Sequence, residues 1–377
     1  MNQKEIEKLE KRVYANTFSR LPVTVVKGRG VYAYDIDGKE YLDMFAGIAV
    51  NSLGHCHPDV LEIIKRQSEK LIHISNWFYT LPQLELSELL IKITSLRKVF
   101  ITNDGTEAVE SAIKLARKVT GKKEIIAMEN AFHGRTMGSL SLTWGKRYRE
   151  VFEPLVPEMK FAKFNDIDSL KKSMREKTAA VIVEPIQGES GVIMPDEDYL
   201  KDVREITYER DVLLIVDEIQ TGFGRTGTMF AFQQSGIEPD ILCIAKGMGS
   251  GFPIGAIVYN CDDFEPGQHG GTFIGNPLAC SVAKTVIEVI LRDNLIENCR
   301  EVGRYLLKKL LERGLEARGK GLMIGIDVGN GRKTVLELIK KGILTIYSND
   351  TVRILPPLVI EKKHADQFLS AIDLVKC

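Results

Sequence analysis

Leu213-Leu214-Ile215-Val216-Asp217-Glu218-Ile219-Gln220-Thr221-Gly222 and, further along, Ile241-Leu242-Cys243-Ile244-Ala245-Lys246-Gly247 share one pattern: an apolar run that stops abruptly at polar residues. Short runs without alternation read as buried strands of a parallel sheet. In open α/β sheets the ligand site lies beyond the carboxyl ends of the strands, so Asp217 and Lys246 are expected at one rim, facing one cavity. A lysine at such a strand end is partly desolvated, which lowers its proton affinity and makes its amine nucleophilic. A carboxylate held nearby requires a cationic partner. Two readings are open from these residues alone. One is a structural Asp–Lys ion pair. The other is a site in which Lys246 bonds an aldehyde cofactor and Asp217 holds a protonated ring nitrogen.

Outward from this pair the chain alternates. Strands are expected at 99–102, 124–129, 179–184, 212–217, 241–245 and 254–259, with helices at 105–118 and 197–209. Strand–helix alternation implies βαβ units and a mainly parallel sheet. Helical periodicity also marks 58–72 and 83–93. The first 45 residues read as an extended arm plus a small hairpin, turned at Asp37-Gly38 between two alternating runs. From about 278 a long helical stretch runs to about 314. A smaller α/β unit follows, with strands near 321–328 and 352–355 and helices near 333–341 and 361–375. The expected division is 1–45, arm and part of a small domain; 46–278, large domain; and 279–377, connecting helices and the rest of the small domain.

Composition narrows the function classes. Of 377 residues 44% are hydrophobic and 27% charged, the balance of an ordinary globular chain. Lys plus Arg and Asp plus Glu number 51 each, so nothing favours nucleic acid or an anionic membrane as partner. No apolar run approaches the ~18 residues of a membrane span. The charged segment Met1 to Arg12 shows no signal-peptide core. Six scattered cysteines, at 56, 243, 261, 280, 299 and 377, point to free thiols in a reducing cytoplasm. His55-Cys56-His57 has no second ligand cluster at metal spacing, so no metal is expected.

Five further segments carry chemistry. Asn103-Asp104-Gly105-Thr106-Glu107-Ala108 follows a strand and opens a helix with an apolar stripe at Val109, Ala112, Ile113 and Ala116. Its first turn is either a simple cap or a phosphate site made by free N–H groups. Ala131-Phe132-His133-Gly134-Arg135-Thr136 offers an aromatic face and a guanidinium fork at a strand end, or core packing and a surface charge. Val183-Glu184-Pro185-Ile186-Gln187-Gly188-Glu189 places two acids beyond a strand, and Arg353 interrupts the apolar Val352-Arg353-Ile354-Leu355. A buried Arg needs a carboxylate, whether for structure or for substrate. Gly270-Gly271-Thr272-Phe273-Ile274-Gly275-Asn276-Pro277 is a glycine-rich loop able to approach a phosphate closely.

Taken in order, these segments resemble the class III pyridoxal phosphate aminotransferases, of the aspartate-aminotransferase fold (fold type I), from about Thr17 to Val375. The most specific parts are Asp-Glu-Ile-Gln-Thr-Gly-Phe-Gly-Arg-Thr-Gly at 217–227 and Ala245-Lys246-Gly247. Within the class the chain looks most like the enzymes acting on acetylornithine. Members acting on ornithine, 4-aminobutyrate or carrier-linked aminoadipate semialdehyde use the same catalytic residues. The resemblance implies that Lys246 carries pyridoxal 5'-phosphate and that Asp217 pairs with its ring nitrogen. It implies that Glu218, Ile219 and Gln220 accompany Asp217 at the cofactor, with Gln220 beside the phenolic oxygen, and that Phe132 stacks on the ring. Gly105 and Thr106 would bind the phosphate, joined by Thr272 from the partner of a homodimer. Arg135 would hold the α-carboxylate of acetylornithine, with Gly271 beside that substrate. Glu189 would mask Arg353 during the amine half-reaction and bare it for 2-oxoglutarate or glutamate. The chain departs from the pattern at Asp104, where relatives often carry Ser or Thr, and at Val109, where acetylornithine enzymes often carry Asn. A carboxylate aimed at a phosphate would repel it, so Asp104 is expected to turn away or to cap its helix.

Overall fold

The apolar runs become the strands of one seven-stranded sheet in a computed structural model that describes residues 1–375; Cys377 lies outside the described residues. In spatial order the strands are Lys98–Thr102, Gly255–Tyr259, Ile241–Ile244, Leu213–Asp217, Thr178–Val183, Glu124–Met128 and Met159–Ala162. Gly255–Tyr259 is antiparallel to both its neighbours, and every other pairing is parallel.

Side-chain alternation explains why these strands are apolar on both faces. Ile125, Ala127, Ala180, Ile182, Ile215 and Cys243 pack on one side with Val109, Ala112, Ile113 and Ala116 of the helix Gly105–Thr120. Ile126, Met128, Val181, Val183, Leu214, Val216, Leu242 and Ile244 face the other side and join the larger core cluster. Each fully buried aliphatic side chain contributes about 1.5–3 kcal/mol, so this two-sided burial holds the strand ends in fixed positions.

The second half departs from expectation in its long helix and in the strands Glu316–Lys320, Ile343–Leu344 and Ile346–Ser348, which were not expected. The helical stretch near 278–314 is two helices, Pro277–Arg292 and Leu295–Glu312. Asn294 separates them in the left-handed region at φ 53°, a conformation Asn tolerates better than most residues. The helices lead into an antiparallel sheet of Glu316–Lys320, Met323–Asp327, Thr351–Ile354 and Ile346–Ser348.

The start of the chain forms the predicted hairpin, Tyr32–Asp35 against Glu40–Asp43, with Gly38 at φ 82° in its turn. Leu42 and Asp43 then pair in parallel with Ile343 and Leu344, so residues from both ends of the chain share one small sheet. The expected extended arm is corrected at Gln3–Val13, which is helical. Asn2 and Glu5 form a capping box there, and the helix buries no residue. Among the described residues, no helix is long and apolar enough to cross a membrane.

Candidate active site

A cavity of about 530 Å³ opens where the strands end, lined by residues that follow five of them. Asn103 to Thr106 follow Lys98–Thr102, Phe132 to Arg135 follow Glu124–Met128, and Glu184 follows Thr178–Val183. Asp217, Ile219 and Gln220 come from the end of Leu213–Asp217, and Ala245 and Lys246 from the end of Ile241–Ile244. Asp217 is in register with Cys243, which brings the two charged strand ends to one rim.

Lys246 sits at φ 42°, in the left-handed region that a side chain with a Cβ rarely adopts. Such strain costs on the order of 1–3 kcal/mol and persists only where its surroundings enforce it. Burial pushes its ammonium below the usual lysine range, and the Asp217 and Glu189 carboxylates only partly offset this. The amine is therefore closer to neutral, and more nucleophilic, than a surface lysine.

Asp217 is almost wholly buried and doubly held. Its Oδ1 accepts from the Ile219 N–H at 3.0 Å, and its Oδ2 lies 2.7 Å from His133 Nδ1. His133 is itself buried, and its Nε2 has no partner among the described residues. Glu184 closes this polar group: its carboxylate accepts from the Phe132 N–H at 2.9 Å and the Gly188 N–H at 3.3 Å. Burial lifts its carboxyl to about 7, with His133 opposing and Asp217 reinforcing the rise. The sequence reading assigned no role to His133 or Glu184, although both lay within segments it singled out.

At the first turn of Gly105–Thr120 the Asp104 carboxylate accepts from the Glu107 N–H at 2.9 Å. The acid that an anion would repel thus serves as the helix cap, one of the two outcomes expected for it. A Cβ added at Gly105 would meet the Ile219 side chain at 2.9 Å, so the approach of helix to strand end requires glycine. Thr106 Oγ1 lies 2.5 Å from Ser139 Oγ and 3.0 Å from Thr136 Oγ1. This cluster of hydroxyls beside free helix N–H groups suits a phosphate.

On the small-domain side Arg353, on Thr351–Ile354, is fully buried. Its Nη1 donates to Glu189 Oε2 at 2.8 Å, and its Nη2 donates to Gln220 Oε1 at 3.2 Å. Its Nε is buried without a partner among the described residues. Gln220 approaches so closely that a Cβ at Gly188 would stand 2.0 Å from its Oε1. Glu189, Gln220 and Arg353 therefore form one polar chain from the cavity wall into the small domain. Arg135 is exposed on the cavity wall, its guanidinium 5.8 Å from the Phe132 ring centre and 5.1 Å from that of Tyr148. Phe18, from the segment before the hairpin, also lines the cavity and was not anticipated.

Four anticipated residues do not line this cavity: Arg353, which stands behind Glu189 and Gln220, and Glu218, Gly271 and Thr272. Glu218 points the other way: its carboxylate accepts from Thr221 Oγ1 at 2.6 Å and the Phe232 N–H at 2.7 Å, because neighbours at a strand end face opposite sides. As a cofactor contact it is corrected to a buried structural acid. Gly271 and Thr272 are exposed on the loop before Pro277–Arg292 and do not reach the cavity of their own chain. His55, from the segment considered for metal, pairs instead with buried Asp43 at 2.7 Å.

The donor set fits a planar anionic cofactor with a carbonyl and a basic ring nitrogen. It offers an amine of reduced proton affinity, a buried carboxylate whose histidine partner has an orphaned nitrogen, and a helix start ringed by hydroxyls. Comparison with known proteins is consistent with this geometry. The family model described as aminotransferase class-III matches residues 13–375. The chain is 47% identical over 394 residues to the acetylornithine aminotransferase of Methanocaldococcus jannaschii, covering 100% of this chain and 98% of that protein. Among solved structures, the ornithine aminotransferase of Toxoplasma gondii ME49 superposes with a TM-score of 0.96 at 32% identity, covering 100% and 95% of the two chains. The acetylornithine aminotransferase of Elizabethkingia anophelis gives 0.88 at 32% identity, covering 100% and 99%.

Proposed function

The chain belongs to the class III aminotransferases, and on that footing we propose that it transfers an amino group from N2-acetyl-L-ornithine to 2-oxoglutarate. The products are N-acetyl-L-glutamate 5-semialdehyde and L-glutamate, a step of arginine biosynthesis in the cytoplasm. The cofactor is pyridoxal 5'-phosphate, which when bound supplies the electron sink that lets a substrate carbon give up its proton.

The observation that carries this reading is the ion pair between buried Arg353 and Glu189, which itself lines the cavity. An enzyme that alternates between a terminal amine and an α-amino acid needs a carboxylate grip that can be covered and bared. Glu189 covers it for the first substrate, and its release frees the Arg353 fork for the α-carboxylate of the second. The acetylornithine assignment is supported by the names of full-length relatives at 47% identity.

The remaining residues divide the work. Lys246 would hold the cofactor's carbonyl carbon, and its amine, of lowered proton affinity, is placed to move a substrate proton as a neutral base. Asp217, oriented by His133, holds a proton on the ring nitrogen. Gly105 and Thr106 would hold the phosphate, and Phe132, Ile219 and Gln220, which line the same cavity, would contact the ring and its phenolic oxygen. Arg135, on the cavity wall, would hold the acetylornithine α-carboxylate, and Gly271, outside the cavity of its own chain, would approach that substrate from the partner copy. Because each product leaves before the next substrate binds, the kinetics are ping-pong.

The working unit in this proposal is a homodimer in which Thr272 reaches the partner's phosphate. Its support is an exposed apolar surface: Trp77 and Tyr79 are 92% and 96% exposed, beside exposed Phe78, Ile72 and Phe273. The partners are small molecules; neither nucleic acid nor membrane is one of them.

A half-reaction panel tests the assignment. Acetylornithine, ornithine, 4-aminobutyrate and glutamate are added singly to the purified holoenzyme, and cofactor absorbance is followed. Fast conversion by acetylornithine and glutamate, with ornithine much slower, is expected. Faster conversion by ornithine or 4-aminobutyrate would move the substrate while keeping the reaction. No conversion by any amine would refute transamination.

A further inference from the structure

The side chain of His269 ties the loop that carries Gly271 and Thr272 to the helix Gly105–Thr120, three residues before Thr272. Lys114 Nζ lies 2.8 Å from His269 Nδ1, and Ser111 Oγ lies 2.8 Å from His269 Nε2. Lys114 also reaches the Gln268 carbonyl at 3.3 Å. The imidazole stacks on Phe100, with ring centres 4.8 Å apart, and Phe264 packs against it at 5.2 Å.

The hydrogens can be placed by elimination. An ammonium only donates, so Nδ1 accepts from Lys114. Nε2 therefore carries the ring proton and donates to Ser111 Oγ, whose own hydrogen goes to the Glu107 carbonyl at 2.7 Å. Every donor and acceptor is matched only when the ring is neutral. A second ring proton would sit on Nδ1, directly against the Lys114 ammonium.

The charged groups around His269 are Lys114, Glu107 and Glu110 of the helix, with Glu265 on its own loop; Phe100 and Phe264 add none. Desolvation and Lys114 hold the imidazole below its ordinary range, against a weaker upward pull from Glu107 and Glu110.

We infer that neutral His269 is the clamp that positions Thr272 for its reach into the partner's site, and that protonation of the ring releases it. The inference rests on the reading of Thr272 as a residue that crosses between copies. It deepens that reading by making one helix serve two sites. The first turn of Gly105–Thr120 holds the phosphate of its own subunit. Lys114, nine residues and about 14 Å along the axis, holds the loop that serves the other. His269 touches neither cofactor nor substrate and is a positioning residue.

The test measures retention of pyridoxal 5'-phosphate by the dimeric holoenzyme, as a dissociation constant at pH 8 and pH 5, for wild type, H269A, H269Q and T272V. Gln reproduces the neutral ring, accepting through its carbonyl and donating through its amide, but does not titrate. H269A is expected to bind the cofactor about tenfold more weakly at pH 8, the loss of one or two hydrogen bonds. H269Q should match wild type at pH 8 and escape the part of the acid weakening that comes from the clamp, so wild type falls several-fold further at pH 5. Equal acid weakening in H269Q and wild type would overturn the clamp, and this comparison decides alone if H269A does not assemble. If T272V binds more weakly but H269A does not, the clamp fails while the crossing residue stands. If T272V is unchanged, the crossing reading fails and the clamp with it.

Discussion

His133 Nδ1 lies 2.7 Å from Asp217 Oδ2, with His133 fully buried and Asp217 exposed only at the cavity. The contact joins the ends of two strands that lie two places apart in the sheet, and it orients the carboxylate assigned to the ring nitrogen. His133→Ala leaves Asp217 with the Ile219 N–H alone. It should lower stability by about 1–3 kcal/mol, the cost of stranding a buried polar group. It should also lower kcat in both half-reactions. Urea unfolding and single-turnover rates check this; an unchanged kcat would make the contact purely architectural.

Arg135 stands on the cavity wall, and in the proposed division of labour only one of the two substrates needs it. Arg135→Ala should raise KM for acetylornithine by about 30- to 150-fold, since a charged hydrogen-bonded pair is worth roughly 2–3 kcal/mol. The glutamate half-reaction should change little. Equal losses for both amines would contradict the division of labour.

Removing Glu189 uncovers Arg353 permanently. Glu189→Ala should keep or improve glutamate turnover and slow acetylornithine, whose carboxylate can then be captured by the wrong arginine. A rise of about tenfold in the glutamate-to-acetylornithine ratio of kcat/KM corresponds to 1.4 kcal/mol of misdirected binding. A constant ratio would remove the switch from the mechanism.

Glu218 supplies a stability test that leaves the chemistry aside. Burial lifts its carboxyl to about 7, chiefly through desolvation, against 4.5 when solvated. The folded state therefore keeps a proton that the unfolded chain releases. This stabilisation is complete below pH 4.5, fades as pH rises to about 7, and is then gone. It amounts to at most about 3 kcal/mol. Glu218→Gln mimics the protonated acid, accepting from the Phe232 N–H and donating to Thr221. Between pH 4.5 and pH 7 the cofactor-free wild type should lose more unfolding free energy than this variant. Parallel curves would mean that Glu218 does not titrate in this window.

Asp217 and Lys246 were legible because each ends an apolar run, and the ends of parallel strands converge. Their helpers were less so. His133 meets Asp217 only because the sheet order places two distant strand ends within reach, and no local pattern encodes that order. Glu218 was misplaced for a simpler reason: beside Asp217 it inherits the opposite face. The helix Gln3–Val13 escaped notice because it buries nothing, although Asn2 and Glu5 spell its cap. Thr272 lies outside the cavity of its own chain, and its proposed role places it in the site of a second copy.

The parallel pairing of Leu42 and Asp43 with Ile343 and Leu344 sets a timetable for synthesis. The hairpin strand Glu40–Asp43 leaves the ribosome early, yet its neighbour is encoded some 300 codons later. At about 5–20 residues per second, that edge waits roughly 15–60 s for its partner. During that interval the nascent chain carries an unpaired strand edge, the kind of surface that recruits other chains. Completion of the small domain is thus a late event in translation, and the large parallel sheet is fully synthesised before it.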